Sequence, residues 1–187
     1  MSGAADDDNE SDSKVIEECI NTFRNWSIEH ADADVALKLE QLRTIQTIYS
    51  LRPALRYLVF LGGTCTESII TSKQLLQNKD VVMTLAQGTI QQRQLIAGLE
   101  WFFGSRYPQL SKYFPVILKQ LFDEEMMEED IFLEWAGDLT RNEYSVDDTM
   151  ITFDALEGLR AAAAPFVTWL QEAEEEDDEE DEEEEDA

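Results

Sequence analysis

Apolar residues recur at steps of three and four along nearly the whole chain from Lys14 to Glu176. Val15, Cys19, Phe23 and Trp26 form one such stripe, and Leu37, Leu42, Ile45, Ile48 and Tyr49 another. That period places them on one face of a helix. No segment alternates polar and apolar residues as a half-buried strand would. Ser13 is a candidate cap for the first helix and Asp32 or Asp34 for the second. Pro53 fits the first turn of a third helix, where its missing N–H costs little, and Gly62 and Gly63 are expected to end it. A fourth helix is expected over Thr66–Gln77 and, after a break at Asn78–Asp80, a fifth over Val81–Ala86. Thr89 with Gln92 reads as a capping box opening Ile90–Phe103, which Gly104 closes. Ser111 opens Lys112–Phe122, with Pro115 near its start. The pattern then predicts a helix over Met126–Ala136, a polar loop over Gly137–Asp148, and a last helix over Leu156–Glu175 kinked or split at Pro165. Short helices with tight connections predict an all-α, HEAT-like stack of antiparallel helix pairs, without a strict sequence repeat.

Charge divides this picture into three. The 187 residues carry 41 acids and 14 bases, a net charge of -27. Gln171–Ala187 holds 14 of the acids and Met1–Ser13 holds 5, neither with a base. Such runs cannot bury apolar surface, so residues 1–13 and 177–187 are expected to be disordered acidic segments flanking one domain over 14–176. A surface this negative repels nucleic-acid phosphates and anionic membranes and attracts lysine- and arginine-rich proteins. Cys19 and Cys65 form no CxxC pair, which excludes a zinc ribbon and a disulfide framework. With no signal peptide and no long apolar run, a cytoplasmic location is expected.

The acids also cluster within the domain. Asp123–Trp135, DEEMMEEDIFLEW, has seven carboxylates, no base and a terminal tryptophan. On a helix, Met127, Ile131 and Trp135 share a face and are expected in the core. Glu124, Glu125, Glu128, Glu129, Asp130 and Glu134 then point outward in mutual repulsion. Pro165–Asp178, PFVTWLQEAEEEDD, repeats the arrangement: Phe166, Trp169 and Leu170, then Glu172, Glu174, Glu175 and Glu176. Each box alone reads as a solvated acidic face. Together they read as a site for a basic partner, with Trp135, Phe166 and Trp169 as structural anchors. Catalytic chemistry is poorly served. His30 is the single histidine, set among acids at a helix end, and no triad, P-loop, HExxH or EF-hand spacing occurs. Trp26 and Trp101 lie in apolar helical patterns and are expected in the core. Arg52 and Arg56 lie one turn apart and read as structurally paired or as a small basic patch. No metal or other cofactor is expected.

The two boxes resemble the paired aromatic/acidic boxes of the W-two domain, a HEAT-type module of translation initiation factors. The stretches QQRQLIAGLEWFF, PVILKQLFDEEMMEEDIFLEW and APFVTWLQEAEEED are most similar to the carboxyl-terminal domain of initiation factor five. The similarity is strongest over Gln91–Asp178. The resemblance implies that Glu124, Glu125, Glu128, Glu129, Asp130, Glu134 and Trp135 form the first box, and that Phe166, Trp169, Leu170, Glu172, Ala173, Glu174, Glu175 and Glu176 form the second. It implies a partner in the lysine-rich segments of the beta subunit of initiation factor two. It also implies contacts with factors one, three and four-G, in the preinitiation complex on the small ribosomal subunit. The family's amino-terminal GTPase-activating domain has no counterpart here, so the chain reads as a fragment or a stand-alone mimic. Thr168 and Gln171 stand where lysines are expected. The other readings are an epsilon-subunit domain of the exchange factor and, in a different class, an acidic chaperone for basic proteins.

Overall fold

Residues 5–138, 144–147 and 149–185 are described by the structure, a computed structural model, with side chains over 12–138, 144–147 and 149–173. Helix α1 (Ala5–Glu29) buries Ile16, Cys19, Ile20 and Phe23. It packs on α3 (Leu55–Thr64), with α2 (Val35–Ile48) against both. Asp34 caps α2 as expected, its Oδ1 accepting from the Leu37 N–H at 2.9 Å. Gly62 and Gly63 have another role than ending α3. They lie inside its last turn, and a Cβ on either would come within 2.7 Å of Ile20 or Phe23. The pair lets two helices approach closely, and α3 ends at Cys65 instead.

After turns over 66–73, α4 (Gln74–Gln77) and α5 (Lys79–Leu85) are short. Helix α6 (Thr89–Trp101) is the central element, buried at every residue from Gln92 to Trp101. It packs on α3 and on α8 (Glu129–Gly137). Gly98 admits Tyr57, 3.0 Å from where a Cβ would stand. The chain does not stop at Gly104. It continues through a π-helical turn, Phe102–Arg106, and a 3₁₀ helix, Pro108–Tyr113. Helix α7 (Phe114–Asp123) follows, with Pro115 in its first turn, where the helix needs no N–H.

Helix α9 (Phe153–Glu185) runs through Pro165 and packs on α7 and α8. Helix thus covers 5–13 and 177–185, where disorder is expected from composition. Over 177–185 glutamate is a good helix former, and in both segments extending an existing helix avoids the cost of nucleation. Among the described residues no strand occurs, and the arrangement is all-α and HEAT-like. Within them no helix is long and apolar enough to cross a membrane. The expected loop Gly137–Asp148 lies partly outside the described residues.

Candidate functional site

The first acidic box is not one helix. Helix α7 ends at Asp123, α8 begins at Glu129, and the acids between them occupy a tight turn. There the Met126 N–H donates to the Leu121 carbonyl and the Glu125 N–H to the Phe122 carbonyl, both at 2.9 Å. This is the Schellman ending of a helix, with Glu125 at the left-handed position (φ 54°) that glycine or asparagine usually takes. Met127 precedes α8, yet it is buried with Ile131 and Trp135, as the shared-face reading requires.

Each acid of the box has a distinct setting. Lys119 donates to Asp123 at 2.7 Å, and the Lys79 ammonium to the Glu124 carbonyl at 2.6 Å with its carboxylate at 3.4 Å. Buried Gln92, expected in a capping box, instead bridges to Glu128: its Nε2 donates to the carboxylate at 3.1 Å and its Oε1 accepts from the Glu128 N–H at 2.9 Å. The amide thereby seats the start of α8. Glu134 lies 3.7 Å from Arg93, which also bonds Asp138 at 2.8 Å. Glu129 is half-buried. Glu125 and Asp130 are exposed.

Asp123, Glu125 and Glu128 line a groove of about 830 Å³ with Met83, Phe122, Met126 and Met127, and no basic residue lines it. Glu124 faces a second cavity of about 650 Å³ with Lys73, Lys119, Pro165 and Trp169. The tertiary structure therefore divides the box. Asp123, Glu125 and Glu128 face a methionine-floored trough, Asp123 while paired with Lys119 and bordering both cavities, and Glu124 and Glu134 are engaged with bases away from it.

Trp135 is anchored from three sides. Its indole N–H donates to buried Glu100 at 2.9 Å, its carbonyl accepts from Arg160 at 2.8 Å, and the Arg160 guanidinium lies 4.9 Å from the ring centre. Arg160 also stands 3.6 Å from Glu100. Phe166 is buried and meets Phe132 edge-on at 5.4 Å. Trp169, expected as an anchor, is 42% exposed. It meets Phe122 edge-on at 5.5 Å and carries the Lys119 ammonium 4.3 Å above its ring. The reason is register. Phe166 and Leu170, four apart, take the inner face of α9 and turn Trp169 to its rim. Glu172 is exposed, and the side chains of Glu174, Glu175 and Glu176 lie outside the described residues.

Sequence reasoning missed Gln92, Arg93, Glu100 and Arg160. Glu100 offered a signal, a lone acid inside the apolar run LIAGLEWFF. Of the other candidates, His30 is exposed, stacked on Trp26 at 4.8 Å. Arg52 pairs with Asp147, so it forms no patch with Arg56. Burial pushes the Cys19 thiol up to about 11 and Cys65 up to about 12, so both stay protonated and unreactive at neutral pH. Among the described residues no group of side chains could hold a metal ion.

A family model described as W2: eIF4-gamma/eIF5/eIF2-epsilon matches residues 91–186, which contain both boxes. Eukaryotic translation initiation factor 5 of Mus musculus is 33% identical over 83 residues, 44% of this chain and 18% of that protein. The same factor of Zea mays is 28% identical over 103 residues, 55% of this chain and 20% of that protein. The chain thus corresponds to a minor part of these relatives' length. A solved structure, the C-terminal Domain of Translation Initiation Factor 5 at low pH, superposes with a TM-score of 0.64 at 25% identity, over 87% of this chain and 96% of that one. Fold and sequence agree, and the chain belongs to the W2 family, an interaction domain of translation initiation factors.

Proposed function

We propose that this domain binds a lysine-rich segment of the beta subunit of initiation factor two, and through it helps assemble the preinitiation complex with factors one, three and four-G. The trough of Asp123, Glu125 and Glu128 carries the reading. Its floor of Met83, Met126 and Met127 suits the aliphatic stems of lysines, and its rim of carboxylates suits their ammonium groups. Methionine adapts to more than one arrangement of such stems. The left-handed backbone of Glu125 supports the same conclusion. A non-glycine residue there costs roughly 1–2 kcal/mol, and keeping a carboxylate at a strained position fits a binding role better than a structural one. Glu129, Asp130 and Glu134 extend the acidic surface along α8, and Glu172 does so on α9; Glu174, Glu175 and Glu176 follow it in the sequence and add negative charge.

The mechanism is electrostatic steering followed by docking of the stems. The domain contributes a surface and no catalytic step, so alone it should not accelerate GTP hydrolysis by the partner. Titration with a polylysine-containing peptide of the partner tests the reading. Affinity should fall steeply with salt, because screening acts over about 10 Å at 0.1 M. The double variant Asp123→Lys, Glu125→Lys should weaken binding about tenfold or more with an unchanged circular dichroism spectrum. Salt-independent binding, or full affinity in the double variant, would remove the trough from the mechanism. Loss of binding on deleting only Glu174–Ala187 would favour an acidic chaperone instead.

A further inference from the structure

The acidic trough has a basic neighbour. Across the end of α5 lies a pocket of about 360 Å³ lined by Arg43, Arg56, Thr84, Gln87, Gly88 and Gln91 over a floor of Leu39, Leu42 and Leu85. Thr84 and Gln87 border both sites, so the end of α5 and the residues after it form the wall between them. No acid lines this pocket, in a chain with 41 acids and 14 bases.

The bases of the chain differ in pairing. Arg52, Lys79, Arg93, Arg106, Lys119 and Arg160 each face a carboxylate. Arg43 and Arg56 pair with none among the described residues, where Arg24, Lys38, Lys73 and Lys112 also form no ion pair. Arg56 is not free to wander. Its Nη2 donates to the Tyr57 hydroxyl at 3.2 Å and its guanidinium lies 5.1 Å from that ring, while the buried Nε has no acceptor. Tyr57 is itself fixed, its hydroxyl donating to the Leu85 carbonyl at 2.8 Å. A positioned guanidinium has lost part of its rotamer freedom before any ligand arrives. The pocket also includes Gly88, the N-cap of α6, and that helix start has neither a side-chain cap nor an acid in its first turn. Its partial positive charge adds to that of the two arginines. The Gln87 and Gln91 amides supply neutral donors.

We propose that this pocket binds an anionic side chain, a carboxylate or a phosphoryl group, on an extended segment of a protein partner. Arginine forks match both groups, which present paired oxygens to two N–H donors. Nucleic acid is the poorer occupant, because the chain's net charge repels a continuous phosphate backbone. The shared wall gives the inference a further consequence, which rests on the lysine-binding reading of the trough. A segment whose lysines lie in the trough can place a neighbouring acidic or phosphorylated residue in the arginine pocket. Two oppositely charged sites side by side fix the register of a charge-mixed segment in a way that a uniformly acidic surface cannot.

Amide NMR titration of the whole chain tests this with three peptides: lysine-rich, glutamate-rich, and lysine-rich with one phosphoserine. The glutamate peptide and the phosphopeptide should shift the Gly88 and Thr89 amides saturably. Arg43→Glu, at an exposed position, should weaken both about tenfold or more, and Arg43→Lys should restore much of the loss for the phosphopeptide. The all-lysine peptide should be indifferent to Arg43→Glu and sensitive to Asp123→Lys, Glu125→Lys. Failure of that last control alone would indict the trough and leave the pocket standing. The pocket is overturned if Arg43→Glu leaves both acidic peptides binding as before, if neither saturates the wild-type chain, or if oligouridylate takes the site more tightly than either. The relative strength of the glutamate peptide and the phosphopeptide tells which anion the pocket prefers.

Discussion

The two acidic boxes share their ingredients, a tryptophan beside a run of carboxylates, yet the fold uses them differently. In the first, Trp135 is buried against Phe114 and held by Glu100 and Arg160. In the second, Trp169 sits at the rim of α9, half in solvent beneath Lys119. The first tryptophan therefore belongs to the folding core and the second to the surface. The carboxylates divide likewise. Three of the first box converge on a trough because a helix ends between them, whereas the acidic residues of the second follow one another within one continuous helix. Box composition thus names a kind of surface, and the position of the helix ends shapes part of it into a trough.

Trp135→Ala should give the largest effect on stability. Removing a buried tryptophan costs about 3–5 kcal/mol, and the change also takes the indole donor from Glu100. A fall of only a degree or two in Tm would show that Trp135 is no more a core residue than Trp169. Arg160→Ala, on the helix of the second box, should destabilise by about 2 kcal/mol, because buried Glu100 loses its cation and the Trp135 carbonyl its donor. Chemical denaturation measures it, and Arg160→Lys should recover only part of the loss, since lysine lacks the fork.

Trp169→Ala should cost about 1.5 kcal/mol, from partial burial and the lost cation–π contact. A cost equal to that of Trp135→Ala would erase the contrast between the boxes. The smallest effect has the opposite sign. Glu125→Gly relieves the left-handed strain and should raise stability by about 1 kcal/mol while weakening the lysine-rich peptide. A glycine variant that binds as well as the parent would mean the glutamate is held there for another reason.

Much of this was legible in the sequence because it depends on local period and local chemistry. The apolar stripes gave the helices, Asp34 gave its cap, and Met127, Ile131 and Trp135 their common inward direction. Other readings failed where a residue answers to a distant neighbour. Gly62 and Gly63 look like a helix end and are a place of close approach to Ile20 and Phe23. Gln92 looks like half of a capping box and instead holds Glu128, 36 positions away.

By itself the sequence determined that the protein is helical, strongly acidic and carries two aromatic/acidic boxes. These are properties of composition and of spacing within a turn or two, where the geometry of the chain fixes what lies beside what. Only the tertiary structure decided that Lys79 and Arg93 engage Glu124 and Glu134, and that Asp123, Glu125 and Glu128 line the trough. It also decided that Arg43 and Arg56, 13 positions apart on two helices, share one acid-free pocket. A carboxylate or guanidinium takes its role from the charges and donors that reach it in space, and helix packing sets those.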